Sequence, residues 1–168
     1  MSDIYRPIKV YNGSGFDYIF PSVCRSVTFG ITADQMPSNG YVLFNKIFSN
    51  GSPEYRDNVS GIASLTSGGN IKINKAGRYL VIFNAELKAT GITANPQFQI
   101  YCDTKRINVA VGSVGLWADK HKGNICGVMS LDSGDTIKCL SNFLSGGGGT
   151  YTFYKNDTYC TLVYLGEK

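Results

Sequence analysis

The sequence predicts a single all-β domain built as an antiparallel sandwich. Its 168 residues are enough for one hydrophobic core, whereas two independent domains would be cramped. The composition favours strands, with 11 Tyr, 9 Phe and 20 Gly but only 17% charged residues, which is low for a helical protein. Short apolar runs separated by turn residues recur along the chain, and no helical periodicity persists over three turns.

The candidate strands follow from these runs in chain order. They cover residues 26–31, 41–48, 70–74, 78–89, 97–112, 123–131, 135–142, 150–154 and 159–165. Between them lie segments rich in Gly, Pro, Asn, Asp and Ser, which tolerate turn dihedrals. Residues 1–23 differ, because Pro7, Pro21 and a Gly-Ser-Gly segment interrupt their short apolar pieces. We therefore predict an N-terminal arm over residues 1–23 and a sandwich domain over residues 24–168.

The candidate strand at residues 79–88 is apolar on more than one face. Alternate residues of a strand point to opposite sides, and one side here is wholly apolar: Tyr79, Val81, Phe83, Ala85 and Leu87. The opposite side begins with Leu80 and Ile82 and becomes polar afterwards. A strand of an isolated antiparallel sandwich needs only one apolar side, so Leu80 and Ile82 require a second cover.

The last candidate strand repeats this pattern. Tyr159, Thr161, Val163 and Leu165 share one side, and Cys160, Leu162 and Tyr164 share the other. Two strands with apolar residues on both sides predict that an identical subunit covers the second side. The alternative is that a loop or the N-terminal arm folds over it.

Charge and cysteine content exclude several classes. The net charge of +4 comes from scattered residues, so we expect no nucleic-acid partner. No apolar stretch approaches the roughly 20 residues that cross a bilayer, and residues 1–6 carry no secretion-signal pattern, so neither membrane insertion nor export is expected. The odd set of 5 Cys has no C-x-x-C pair, which predicts reduced apolar fillers in a reducing cytoplasm. No cofactor is expected.

No catalytic or metal site is predicted. His121 is the only histidine and stands in a polar segment that predicts an exposed loop, without a nucleophile motif beside it. The glycine tract at residues 146–149 lacks the Gly-Lys-Ser/Thr ending of a phosphate loop. Four aspartates are candidates for a cation site but are expected to form turns instead: Asp103, Asp119, Asp132 and Asp135. Exposed aromatic rings favour a ligand-binding patch formed by Trp117, His121 and Tyr151.

Four motifs resemble the C1q and tumour-necrosis-factor-like superfamily. They are Phe-Asn-Lys at residues 44–46, Gly-Arg-Tyr at 77–79, Leu-Asp-Ser-Gly-Asp at 131–135 and the aromatic-apolar closing strand at 161–165. The match spans roughly residues 24–166, with the motifs in the family's order. The resemblance implies a ten-stranded jelly roll that forms a homotrimer, with the long apolar strand and the closing strand near the threefold axis.

The resemblance also assigns individual residues. Gly77 and Tyr79 would start the core strand, Gly134 and Asp135 would form a tight turn, and Phe44 would lie in the core or interface. Together with the two-sided strands, it predicts a core and trimer interface containing Tyr79, Leu80, Val81, Ile82, Phe83, Leu162, Tyr164 and Leu165.

The predicted function is a non-enzymatic homotrimeric virion protein, such as a bacteriophage capsid decoration, head fibre or host-attachment module. Its N-terminal arm would anchor it to a larger assembly, and a glycan or cell-surface receptor would be its external partner. The sequence shows no collagen-like stalk and no disulfide pattern, which disfavours an animal complement or cytokine role. The alternative is a soluble ligand-binding trimer of the same fold, extracellular or at a cell surface.

Overall fold

A computed structural model describes residues 9–11, 16–18, 26–37, 40–48, 59–90, 96–102, 105–108, 120–143 and 150–168. The elements in chain order are β1 (Lys9–Tyr11), β2 (Phe16–Tyr18), β3 (Ser26–Gly30), β4 (Lys46–Phe48), α1 (Val59–Ile62), β5 (Ala63–Leu65), β6 (Ile71–Ile73), β7 (Gly77–Thr90), β8 (Pro96–Cys102), β9 (Lys105–Asn108), β10 (Lys120–Leu131), β11 (Thr136–Phe143), β12 (Thr150–Phe153) and β13 (Tyr159–Gly166).

The strands form two packed antiparallel sheets, as predicted. Sheet I has six strands in the order β10-β7-β13-β3-β4, with β12 pairing to the far end of β7. Sheet II has five strands in the order β5-β6-β11-β8-β9. The chain crosses between the sheets from β6 to β7, from β7 to β8 and from β10 to β11, which gives the jelly-roll connectivity. A separate β1-β2 hairpin lies within the predicted arm, and the arm's boundary stays a prediction.

The core lies between the two sheets and follows the predicted alternation. Tyr79, Val81 and Phe83 of β7 are 0% exposed, as is Leu162 of the neighbouring strand β13. The Phe83 ring meets the Phe98 ring of sheet II edge to face, with centroids 6.0 Å apart. Edge-to-face aromatic contacts of this kind add specific attraction to apolar burial, so they fix how the two sheets stack.

Two candidate strands were predicted too long. Residues 41–48 do not form one strand: Tyr41 bridges Leu140 of sheet II, whereas Lys46 already pairs in sheet I. The chain passes from sheet II to sheet I within this segment, so its apolar residues belong to two sheets and not to one strand. Residues 97–112 contain the separate strands β8 and β9, which pair antiparallel from Cys102 and Lys105 onward. Alternation within a continuous run does not mark where one strand ends and the next begins.

The prediction that His121 lies in an exposed loop is wrong. Strand β10 begins at Lys120, and His121 pairs with Leu87 and is 4% exposed. Lys120 and Lys122 on either side are exposed because alternate residues point to opposite faces of the sheet. The two outward lysines made this segment look like a polar loop in the sequence, although His121 between them points into the core.

The turn between β10 and β11 forms as predicted. Gly134 has φ +98°, a left-handed conformation that glycine adopts without steric cost. The Asp135 carboxylate accepts a hydrogen bond of 2.8 Å from the Asp132 amide, and the Asp135 amide donates to the Asp132 carbonyl. These two aspartates therefore shape a turn. Within the described ranges, no group of three or more metal-ligating side chains converges.

Three of the four described cysteines are buried fillers. Cys102, Cys139 and Cys160 are at most 3% exposed. Burial, followed by the neighbouring Cys160, raises the pKa of the Cys139 thiol well above its usual value, so it stays protonated. Cys126 departs from the prediction because it is exposed, and Cys24 lies outside the described residues. Among those residues no helix has the length and apolar character to cross a membrane.

Candidate interaction face

The candidate site is the outer face of sheet I, the side that points away from sheet II. Strand alternation defines it: inward residues of β7 are fully buried, whereas Leu80 and Ile82 keep partial exposure. The same alternation puts Val163 of β13 and Val128 of β10 on this face, and Val128 is 62% exposed. Apolar side chains thus reach solvent across neighbouring strands.

These apolar residues are in register and form one patch. Leu80 pairs with Val128 on one side and with Val163 on the other. One step along the strands, Ile82 pairs with Cys126 on the same β10 edge. We call these five residues the apolar patch. Residues directly opposite each other in neighbouring strands are close enough to touch, so the patch is contiguous.

A polar end adjoins the apolar patch farther along the same strands. Asn124 pairs with Asn84, and their side-chain amides form a hydrogen bond. Asn84 also pairs with Tyr159 of β13. Together with Lys122 and Asp157, these residues line a cavity of about 330 Å³. The outer face therefore changes from apolar to polar along the length of β7.

A charged network organises this polar end. The Glu86 carboxylate is largely buried and lies 2.6 Å from the Lys122 ammonium and 3.6 Å from that of Lys120. Asp157 lies 3.4 Å from the same Lys122 ammonium. The hydrogen bond to Glu86 is the largest cause that raises the pKa of Lys122. The Lys120 ammonium also lies 5.2 Å from the Tyr154 ring centroid, so Glu86 fixes the two strand lysines beside the turn before β13.

No protein-family model matches the chain. No curated protein matches it either. Solved structures with the same arrangement of strands do match. A tumour necrosis factor, Eiger TNF from S. frugiperda, superposes with a TM-score of 0.60 at 13% identity, covering 86% of this chain and 94% of that one. The globular domain of zebrafish complement 1qA gives a TM-score of 0.58 at 10% identity, covering 87% of this chain and 100% of that one.

The chain has the TNF/C1q-type jelly-roll fold. Rabbit GITRL agrees, with a TM-score of 0.50 at 19% identity over 87% of this chain and 97% of that one. These similarities confirm the fold that the four sequence motifs implied. At such low identity the likeness concerns the fold alone.

The TNF/C1q-like jelly roll divides the eight predicted core and interface residues into two groups. Tyr79, Val81, Phe83 and Leu162 are 0% exposed and belong to the core within one subunit. The other four retain solvent contact: Leu80, Ile82, Tyr164 and Leu165. Of these, Leu165 is 50% exposed. Of this group, Leu80, Ile82 and Leu165 are available for contact with another molecule. Tyr164 instead packs against Tyr79 of the core, with ring centroids 5.3 Å apart.

The structure describes two of the three residues predicted to form a ligand patch. His121 is buried, and Trp117 lies outside the described residues. Tyr151 is half-buried: its hydroxyl donates a 2.7 Å hydrogen bond to the Ser141 carbonyl, and its ring packs against Phe153. Its role is therefore to join β12 to β11, and the patch as a whole stays a prediction.

Sequence reasoning missed the contribution of β10 to the apolar patch. Ile125, Met129 and Leu131 point inward, so Cys126 and Val128 must point outward. The alternation in residues 125–131 contained this signal. It was overlooked because the cysteines were treated as one class of buried filler.

Proposed function

We propose that this protein is a non-enzymatic homotrimer whose subunits associate through the outer face of sheet I. The observation that carries the proposal is the contiguous apolar patch, in which Val128 is 62% exposed beside the half-buried Leu80 and Val163. Contiguous apolar surface on one face of a soluble domain marks an association site. Burying this patch stabilises the assembly by about 25 cal/mol for each Å² of apolar area removed from water.

The position of the apolar patch supports a ring of identical subunits. Strand β10 is at one end of sheet I and pairs only with β7 among the described strands. The apolar patch runs from this edge strand across β7 to β13. An edge of one subunit packed against the outer face of the next makes a heterologous contact, and such contacts close into rings. The TNF/C1q-type fold supports three subunits per ring.

The polar end supports a defined register for the assembly. The Asn84–Asn124 amide pair and the Glu86 network lie directly beside the apolar patch. A copy that slid along the strands would put its apolar residues against these polar groups and leave them without partners. Polar groups next to an apolar interface select one register for this reason.

Light scattering on Val128→Glu tests the trimer. The wild-type protein should have three times the subunit mass of 18.3 kDa. We expect Val128→Glu to yield mainly monomer at the same concentration, because burying an unpaired carboxylate costs several kcal/mol. The matched control is Met36→Glu, since Met36 is 65% exposed but outside the apolar patch, and it should remain trimeric. A monomeric wild-type protein would contradict the proposal, as would equal masses for the two variants.

Within this proposal, the virion role predicted from the sequence remains the leading biological setting. In that role residues 1–23 anchor the trimer to a larger particle. The alternative setting is a soluble ligand-binding trimer. Deleting residues 1–23 separates them: loss of particle association with an intact trimer supports the virion role, whereas retained binding to a soluble ligand without any particle supports the alternative.

A further inference from the structure

A second cavity of about 510 Å³ lies at the opposite edge of sheet I, by strand β4. Its lining comes from Ile31, Thr32, Lys46, Phe48, Lys155 and Asn156. Its volume falls in the range of small-molecule sites, about 300–1,000 Å³. The apolar patch occupies β10, β7 and β13, and β3 lies between β13 and β4. A ring built on the apolar patch therefore leaves this cavity open to solvent.

The Phe48 side chain provides an aromatic surface that packs closely on the backbone of β3. Its ring lies directly over Gly30 of the neighbouring strand, where a Cβ atom would come within 2.3 Å of the ring. Only glycine allows the ring to lie this close to β3. The Lys46 ammonium is 4.5 Å from the centroid of the same ring. The exposed Lys46 side chain thus places its positive charge over the face of the Phe48 ring.

The two loops around the cavity are fixed by hydrogen bonds. The Thr32 amide donates to the Asn45 side chain at 2.9 Å. The Lys155 amide donates to the Asp34 carboxylate at 3.0 Å. These two backbone amides therefore donate to groups within the protein and are not available to a ligand. The positive charge of the described lining comes from two lysine side chains.

The charge and shape of the cavity select the ligand. Its described lining contains two lysines and no carboxylate. The Asp34 carboxylate accepts a hydrogen bond from the Lys155 amide. Lysine is a point charge that binds either a carboxylate or a phosphate. Phe48 is half-buried and offers apolar surface for the face of a ring, which inorganic phosphate lacks. Thr32 and Asn156 add polar groups that match hydroxyls.

We propose that this cavity binds a carboxylated sugar ring, such as a hexuronate unit of an acidic polysaccharide. On binding, the exposed Lys46 side chain moves from above the Phe48 ring to the carboxylate, which Lys155 also binds. The pyranose ring then stacks on Phe48, and Gly30 is a positioning residue for Phe48. This site is separate from the patch predicted around Trp117 and does not depend on trimer formation.

Titration of the full chain with sodium glucuronate, followed by amide chemical shifts and calorimetry, tests the proposal. We expect saturable binding in the millimolar range or tighter, with shifts at residues of the cavity. Glucose lacks the carboxylate, acetate lacks the ring, and inorganic phosphate carries a different anion. Each should bind at least roughly tenfold more weakly, a difference of about 1.4 kcal/mol. Equal or tighter binding of any of these three probes would overturn the proposal.

Matched variants locate the binding. Lys46→Gln combined with Lys155→Gln should weaken glucuronate binding at least tenfold, and Phe48→Ala should do the same. Lys72→Gln is the control, because Lys72 is an exposed lysine of sheet II, and it should bind like wild type. Because Phe48 belongs to an edge strand, its replacement could disturb folding. Light scattering and circular dichroism therefore verify the folding of each variant. Unchanged affinity in the double lysine variant would overturn the proposal whatever the state of assembly.

Discussion

Close backbone approaches at single residues determine how the two sheets pack. Gly123 of β10 has no Cβ, and one built there would lie 2.1 Å from the Phe98 ring. Phe98 is 0% exposed and contacts Phe83 of β7. The missing side chain therefore makes room for the aromatic pair that joins sheet I to sheet II.

Gly123→Ala should destabilise the protein by about 1–3 kcal/mol, because a buried ring must move to accept the methyl group. Urea unfolding measures this. Gly61→Ala is the control, since nothing lies within 4 Å of a Cβ at that position of α1. The control should change stability by less than about 1 kcal/mol, in the stabilising direction expected for alanine in a helix. Equal effects of the two substitutions would refute the packing argument.

At the scale of elements, two tyrosine hydroxyls tie strands to their neighbours. Tyr79 of β7 donates to the Lys75 carbonyl in the preceding loop. Tyr151 of β12 donates to the Ser141 carbonyl of β11, so it connects the two sheets. Burial raises the pKa of each tyrosine to about 12, and for Tyr79 the neighbouring Tyr164 adds to the effect.

These pKa values predict a loss of stability at alkaline pH. The ordinary pKa of tyrosine is 10.0, and the pKa in the folded protein is about 12 for both residues. Between these values the unfolded chain releases protons that the folded protein retains, so the free energy of unfolding falls as pH rises. Below pH 10 the contribution is complete.

Urea midpoints measured from pH 8 to pH 11.5 test this prediction. Tyr79→Phe and Tyr151→Phe should each be less stable at pH 8, by about 1 kcal/mol for the lost hydrogen bond. Each should also lose stability less steeply above pH 10. Comparing slopes between variants removes the common contribution of the lysines. Parallel curves for wild type and both variants would contradict the assignment.

For the whole molecule, Cys126 provides a reporter of assembly. Its thiol is exposed in the single subunit and lies beside Ile82 within the apolar patch. The other described cysteines are buried and protected by the core. Assembly through the outer face of sheet I would cover Cys126 without any change in the fold of the subunit.

Thiol alkylation in a Cys24→Ser background should therefore depend on assembly. We expect Cys126 to react at least about tenfold more slowly in the trimer than in the Val128→Glu variant, since reaction requires an accessible thiolate. Cys126→Ala identifies the labelled position by mass. Rapid labelling of Cys126 in a sample that scatters as a trimer would show that the subunits associate elsewhere.

The all-β class, the inward side of β7 and the turn at Gly134 are predictable from the sequence, because strand alternation and turn glycines leave local signals. Four motifs also imply the jelly-roll fold through their resemblance to a known superfamily. The sheet change within residues 41–48, the burial of His121 and the exposure of Cys126 were decided by tertiary structure. Each depends on which strand lies beside which, and local periodicity does not contain that information. The cavity at Phe48 has the same origin, since Gly30, Lys46 and Lys155 converge only when β3, β4 and the turn before β13 meet.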